Sequence, residues 1–303
     1  MGNPNFKENK LKRFVAKTLQ PVLRILNKKL YVSLQYHYIT GHKLDWKHLN
    51  LYTEKLQYLR LYVYPFDKNV IKTASRRGAR EYVEDKGYGE ILIPSLGIFS
   101  SFDEINFEKL PNKFVMKATH ASGFNYICLD KNTLDISKLR NTFNKYLKTD
   151  YGRQTVEPHY SKIKPEIIIE EYIGRQEKLP IEYKLHVFNG KVKYLYVVTG
   201  RGTNIRYNNF YADWTPFNDA QFNHWQTSAE TIKPPINFKK MLKIAEDLSS
   251  PFPFVRLDFY EVDGKIYFGE FTFTPAKGTL VFDNKKADDE IGSWLDISRL
   301  IKR

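Results

Sequence analysis

An α+β protein of two or three lobes is the fold class this sequence predicts, on three observations. Helical periodicity dominates to about residue 87, strand-like and helical segments alternate to about 173, and two hairpins follow residue 181. In chain order, Leu11, Val15, Leu19, Val22, Leu26 and Leu30 recur near helical spacing, interrupted by Pro21. WKHLNLYTEKLQYLRLY (46–62) places Leu49, Tyr52, Leu56 and Leu59 on a second helical period. Asp67 as N-cap and Gly87 as the stop predict a helix over 67–87. ILIPSLGIF (91–99), KFVMKA (113–118), NYICL (125–129) and EIIIEEYI (166–173) read as buried strands. A helix carrying Leu139, Phe143 and Leu147 falls between the last two. IEYKLHVF and KVKYLYVV alternate on either side of Asn189-Gly190, the pair a type I′ turn requires. FVRLDFYEV and KIYFGEF repeat the design around Asp263-Gly264. Between the hairpins, FKKMLKIAEDLSS (238–250) sets Phe238, Met241, Leu242, Ala245 and Leu248 on one helical face.

Composition narrows the functional classes. The 303 residues include 21 Tyr and 21 Phe, too much buriable surface for a long disordered chain. The single cysteine, Cys128, excludes a disulfide framework and a Cys-based zinc site. No apolar run approaches the ~20 residues that span a bilayer. MGNPNFKENK lacks the apolar core of a secretory signal, which predicts a cytoplasmic chain. Phe6 stands where myristoylation after Met-Gly requires Ser or Thr. The formal charge is +14, from 48 Lys and Arg against 34 Asp and Glu. Residues 1–50 hold ten Lys or Arg against Glu8 and Asp45, so +8 lies in a sixth of the chain. A basic amphipathic helix there either packs its stripe on the protein body or lies on an anionic membrane, at the inner face. No nucleic-acid-binding motif is present, and no nucleic-acid partner is expected.

Three segments carry groups with chemical potential. Arg256 and Asp258 lie two apart on one strand of the second hairpin, Glu270 and Thr272 on the other, so each pair shares a face. Burying two carboxylates there needs a neutralising partner, either a divalent cation with phosphate or the neighbouring arginine. In FVMKATHASGFNYICL, Lys117 ends a strand before the loop Ala121-Ser122-Gly123, whose amides suit phosphate oxygens; an ordinary hairpin fits the same residues. His120 in that loop reads as a backbone-satisfied histidine. In EIIIEEYI, Glu170, Glu171, Tyr172 and Ile173 end an apolar strand at what would be a cleft edge, followed by Lys184. Strand-end solvation is the plain alternative for the two glutamates.

The order of these segments resembles the ATP-grasp superfamily. DKNVIKTASRRGAREYV, LPNKFVMKATHASG, IIIEEYI, EYKLHVFNGKVKY and FPFVRLDFYEVDGKIYFGEFTFTPAKG are similar to the teichuronopeptide-biosynthesis, or TupA-like, branch, over roughly residues 40–292. The resemblance implies two α+β lobes clasping ATP, with a helical, basic region over 1–66 and the ATP-grasp domain over 67–303. Within that domain, 67–172 would form the preceding lobe and phosphate-loop subdomain, and 173–303 the C-terminal catalytic lobe. It implies phosphate contacts from Lys117 and the loop Ala121, Ser122, Gly123. Glu170, Glu171, Tyr172 and Ile173 would form an adenine hinge, and Glu182 would meet the ribose. Lys184 would add charge near the phosphates, Arg256 would steady the developing negative charge, and Asp258 and Glu270 would bind Mg²⁺. Thr272 stands where many relatives have Asn, and a hydroxyl is a poorer ligand than an amide carbonyl. For a carboxylate-bearing saccharide or small molecule, the candidates are Arg201, Arg206, Tyr211 and Trp214; a flexible exposed loop is the alternative. The activity implied is ATP-dependent carboxylate–amine ligation in cell-surface polysaccharide synthesis. A phosphotransferase and a non-catalytic binding protein are the other two classes.

Overall fold

The computed structural model describes residues 22–301, apart from 176–177, 223–224 and 230. Leu11, Val15, Leu19 and Pro21 of the first stripe lie outside the described residues. Its remaining members do not form a packed face: Val22, Leu26 and Leu30 are 49%, 77% and 44% exposed. Helix α1 (Lys28–Thr40) instead buries Tyr31, Val32 and Tyr36. The Asn27 side chain accepts from Leu30 N–H at its start, and Gly41, at φ +77°, ends it.

Helix α2 (Tyr52–Tyr58) runs into a π turn (Leu59–Val63). It packs against α8 (Lys285–Trp294), where Thr53 donates through both N–H and hydroxyl to Asp288. The helix expected over 67–87 is two helices, α3 (Lys68–Ala74) and α4 (Arg76–Asp85). Asp67 caps the first as expected; the extended backbone of Ser75 breaks the run, and its hydroxyl caps the second. The two pack so tightly that a Cβ on Gly78 would collide with the Lys72 carbonyl.

The first sheet holds β1 (Ser95–Phe99), β2 (Phe114–Ala118), β3 (Asn125–Cys128) and β4 (Ile167–Glu171), in the order β1-β4-β2-β3. All pairs are antiparallel, and β4 enters between β1 and β2 although it comes last in sequence. Its core joins Phe114, Met116, Ile167 and Ile169 to Leu139 and Phe143 of α5 (Ile136–Leu147). The strand expected over 91–99 starts only at Ser95, after Pro94, which has no N–H to give a ladder. Leu92 instead makes a parallel bridge to Phe268 in the second sheet. A short helix, α6 (Tyr151–Thr155), precedes β4.

The second sheet is β5 (Glu182–Phe188), β6 (Lys191–Thr199), β7 (Arg206–Tyr211), β8 (Phe254–Val262) and β9 (Lys265–Thr272). Its order is β7-β6-β5-β8-β9, again with antiparallel pairs. Both predicted turns form, with positive φ at Asn189, Gly190, Asp263 and Gly264. Strand β7 occupies the segment read as a possible flexible loop. Helix α7 (Phe238–Ser249) buries Phe238, Met241, Ile244, Ala245 and Leu248, whereas Leu242 is only half-buried. Alternation then sorts the central strands. Leu185, Val187, Val255, Leu257 and Phe259 join the core, while Glu182, Lys184, Arg256 and Asp258 point to the other face.

Candidate active site

A cleft of about 370 Å³ lies between the two sheets. Register builds its walls. On the first sheet Val115 pairs with Ile127, and one step of alternation along, Lys117 pairs with Asn125; all four line the cleft. Ser122 and Gly123 follow in the turn, so this wall grades from apolar to polar. Ile93, Ile173 and Leu179 complete the apolar portion. On the second sheet Lys184 faces Asp258, which faces Glu270, across three adjacent strands.

Five cations (Arg76, Lys117, Lys184, Arg201, Arg256) and five carboxylates (Glu170, Glu171, Glu182, Asp258, Glu270) line the cleft. Lys184 bonds Asp258 and lies 2.9 Å from Glu182. Arg256 reaches Asp258 through Nε at 2.6 Å and through a terminal nitrogen at 2.8 Å. That terminal nitrogen also donates to Thr272 at 2.9 Å and to Glu270 at 3.4 Å. Glu270 takes a second arginine, Arg76, at 3.2 Å. Lys117 meets Glu170 at 2.6 Å, with Arg80 on its other oxygen at 3.3 Å. Arg201 clamps Glu182. The neighbouring arginine therefore neutralises the Asp258 carboxylate here.

Titration follows from these pairs. Burial alone would raise the Glu270 carboxyl, but Arg76, Lys184 and Arg256 hold it below its ordinary value. Glu182 is likewise lowered against its burial, by Lys184 and Arg201. Burial would lower Lys184, yet Asp258 raises it, and it stays charged. His186, under Arg256 in the sheet, is pushed well down by burial and then by that guanidinium, so it is neutral.

The residues expected to act together mostly meet here. Lys117, Ser122, Gly123, Glu170, Glu171, Tyr172, Ile173, Glu182, Lys184, Arg201, Arg256, Asp258 and Glu270 all line the cleft. Ala121 lines a chamber of about 20 Å³ that shares Arg76, Lys117 and Glu270 with the cleft. Thr272 reaches the site through Arg256 and Glu270. Three of the four substrate candidates lie elsewhere. Arg206 bonds Gln226 at the start of β7. Tyr211 stacks on Phe217 and donates to Glu290, and Trp214 stacks on Phe210 and donates to Ile232 O. Both aromatics spend their polar tips inside the fold. His120 is buried and bonds Thr149 O, as read. Arg76 and Arg80 went unnoticed, because charges on an amphipathic helix read as solvated. The Ser75 cap inside TASRRGARE was the available signal, since it turns Arg76 to the start of a helix.

Among the described residues, no group of three or more His, Cys, Asp or Glu converges as a metal cage. Asp258 and Glu270, as register partners, suit an ion that takes two carboxylates and completes its shell with phosphate and water, as Mg²⁺ does.

A family model described as TupA-like ATPgrasp matches residues 54–296. No curated protein matches the chain. Among solved structures, a D-alanine–D-alanine ligase from Bacillus anthracis complexed with ATP is 18% identical, over 68% of this chain and 56% of that one, with a TM-score of 0.44. The D-alanine–D-alanine ligase from Helicobacter pylori is 12% identical over 82% and 67%, with a TM-score of 0.43. An L-amino acid ligase from Bacillus licheniformis is 12% identical over 69% and 42%, with a TM-score of 0.41. The chain thus spans little more than half the length of the Bacillus anthracis enzyme.

Proposed function

The chain belongs to the TupA-like ATP-grasp family, and from that premise we propose that it is an ATP-dependent carboxylate–amine ligase. The observation that carries the reading is the graded wall of the cleft: Val115 and Ile127, then Lys117 and Asn125, then the Ser122–Gly123 turn. A purine fits against the apolar pair, and a polyphosphate extends toward the lysine and the turn amides. Tyr172 and Ile173, leaving β4, form the hinge beside the base with Glu170 and Glu171, and Glu182 takes the ribose.

The charge balance supports a nucleotide that arrives with a divalent cation. Five cations and five carboxylates line the cleft, and most are paired with one another. A polyanion alone would draw Lys117, Lys184 and Arg256 away and leave buried carboxylates unpaired, at several kcal/mol each. Asp258 and Glu270 are the residues that would hold Mg²⁺, and Thr272 adds a hydroxyl at the edge. Bound there, Mg²⁺ supplies neutralisation of phosphate charge. The side chains do the rest by positioning. Lys117 and the turn hold the α- and β-phosphates, Lys184 and Arg256 stabilise charge on the transferring phosphoryl group, and Arg201 holds Glu182 in place for the ribose. Phosphorylation of that carboxylate gives an acyl phosphate, and attack by an amine nitrogen on its carbon releases phosphate and forms the amide. The substrate class we assign is a uronic acid or amino-acid carboxylate joined to an amino acid or peptide unit during cell-surface polysaccharide synthesis.

The test is a Mg–ATP-dependent phosphate-release screen over amino acids and uronic acids, with hydroxylamine added to trap the acyl phosphate as a hydroxamate. ADP and phosphate should form only when a carboxylate and an amine are both present, hydroxylamine counting as the amine. A stable phosphorylated product from one acceptor would mean a phosphotransferase instead.

We also assign peripheral contact with an anionic membrane to the N-terminal region. Leu30, Leu34 and Tyr38 are 44%, 50% and 39% exposed at a spacing of four on α1, and residues 9–44 contain no acid. Among the described residues no helix is long and apolar enough to cross a membrane. Leu30→Ser with Leu34→Ser should weaken binding to phosphatidylserine vesicles, and unchanged binding would remove the assignment.

A further inference from the structure

A buried carboxylate stands beside the cleft without a cation of its own. Glu157 is 4% exposed and accepts a hydrogen bond from the Thr274 hydroxyl. The Arg60 guanidinium is fully buried and feels the charge. Its five N–H donors are already committed, however. Nε donates to Val156 O, and the terminal nitrogens serve Thr155 O, Lys277 O, Gln35 and Gln57. Glu157 forms no ion pair among the described residues, whereas Glu170, Glu182, Asp258 and Glu270 each do. A buried carboxylate in this state is costly unless it takes up a proton or a cation arrives from outside the chain.

Its surroundings say which cation. Tyr160, one turn on, lines the 20 Å³ chamber with Arg76, Ser122 and Glu270. Glu157 and Glu270 both act on the Tyr160 hydroxyl, and both act on Tyr151, which bonds Ser122 of the phosphate turn. Through Thr274, Glu157 is tied to the chain just past β9, the strand that carries Glu270 and Thr272 to the site. It also sits in a fixed frame. Val156 takes φ +55°, and Arg60 holds its carbonyl on one side and the Lys277 carbonyl, just beyond Thr274, on the other.

We propose that Glu157 binds the positively charged amino group of the acceptor, with Thr274 orienting the carboxylate. The inference rests on the ligase reading and adds to it the recognition of the amine. A carboxylate selects the ammonium form and holds its nitrogen beside the chamber; the nitrogen gives up a proton to water before its lone pair attacks the carbon activated as acyl phosphate. Glu170, by contrast, has both oxygens occupied by Lys117 and Arg80, and of the five carboxylates that line the cleft only the exposed Glu171 lacks an ion-pair partner among the described residues.

The test uses the full chain with Mg–ATP and the same carboxylate panel, with two probes as the amine. Amino acids present an ammonium; hydroxylamine is uncharged at neutral pH. Glu157→Gln keeps the side-chain shape and the acceptor for Thr274. It should raise the KM for amino-acid amines about 10- to 100-fold while hydroxamate formation continues. Thr274→Val, which leaves the carboxylate in place, should give a smaller rise in the same KM. Equal amine KM in Glu157→Gln and the unaltered protein overturns the proposal. Loss of hydroxamate formation with nucleotide binding intact also overturns it, by moving Glu157 to the first half-reaction. If the unaltered protein yields no hydroxamate from any carboxylate, the ligase reading falls first and this inference falls with it.

Discussion

The two sheets meet the cleft on different terms. The five-stranded sheet shares one large core with α2, α7 and α8, and it presents its charges as rows on adjacent strands. Arg256 and Asp258 are 8% and 2% exposed, and each is bonded to groups that are themselves bonded. The four-stranded sheet has a separate, smaller core and offers one lysine, whose partner Glu170 it supplies itself, with Arg80 reaching over from α4. In the larger sheet the groups that would do chemistry also hold the fold together. In the smaller sheet the residue proposed to hold phosphate, Lys117, stands apart from the core.

The sharpest check on this contrast is Glu270→Ala. Mg–ATP turnover should fall about 1,000-fold, with the protein still folded, because Glu270 is the most exposed carboxylate of its row. Undiminished phosphate release would end the assignment of the site. Next in size is Arg256→Leu. It leaves Asp258 buried with Lys184 alone, and chemical denaturation should show a loss of about 3–5 kcal/mol. Lys117→Ala should weigh the other way: nucleotide affinity falls about tenfold, and the stability loss is smaller, because Glu170 keeps Arg80. A stability loss in Lys117→Ala equal to that of Arg256→Leu would erase the distinction between the sheets.

A smaller effect comes from beneath the larger sheet. Burial raises the Asp288 carboxyl from 3.8 to about 7, although the Thr53 hydrogen bonds oppose the shift. A raised carboxyl favours the protonated folded state. Its stabilising contribution is complete below the unfolded pKa and is lost as pH rises through about 7. Asp288→Asn removes that slope, so the stability difference between variant and unaltered protein should grow in the variant's favour between about pH 4 and 7. A flat difference in melting temperature across that range would refute it.

Much of the larger sheet was legible in the sequence, for a physical reason. Asn189-Gly190 and Asp263-Gly264 fix both register and turn, and alternation then sends Lys184, Arg256, Asp258 and Glu270 to one face. Alternation names a face without naming what covers it, so Tyr211 and Trp214 looked available for stacking although Phe217 and Phe210 already occupy them. Strand β7, RYNNFY, lacks apolar alternation because the fold buries it only in part. The smaller sheet was harder. Its strands were visible one by one, but the insertion of β4 between β1 and β2 is a long-range pairing that no local pattern encodes. The same holds for Arg76 and Arg80, whose partners Glu270 and Glu170 lie 194 and 90 residues away.

The bridge between Leu92 and Phe268 ties the backbones of the two sheets at a point close to Pro94, where the chain enters the smaller one. A joint of this kind allows rotation and resists sliding. The two walls of the cleft thus share a backbone joint, and a change at Leu92 is felt by both.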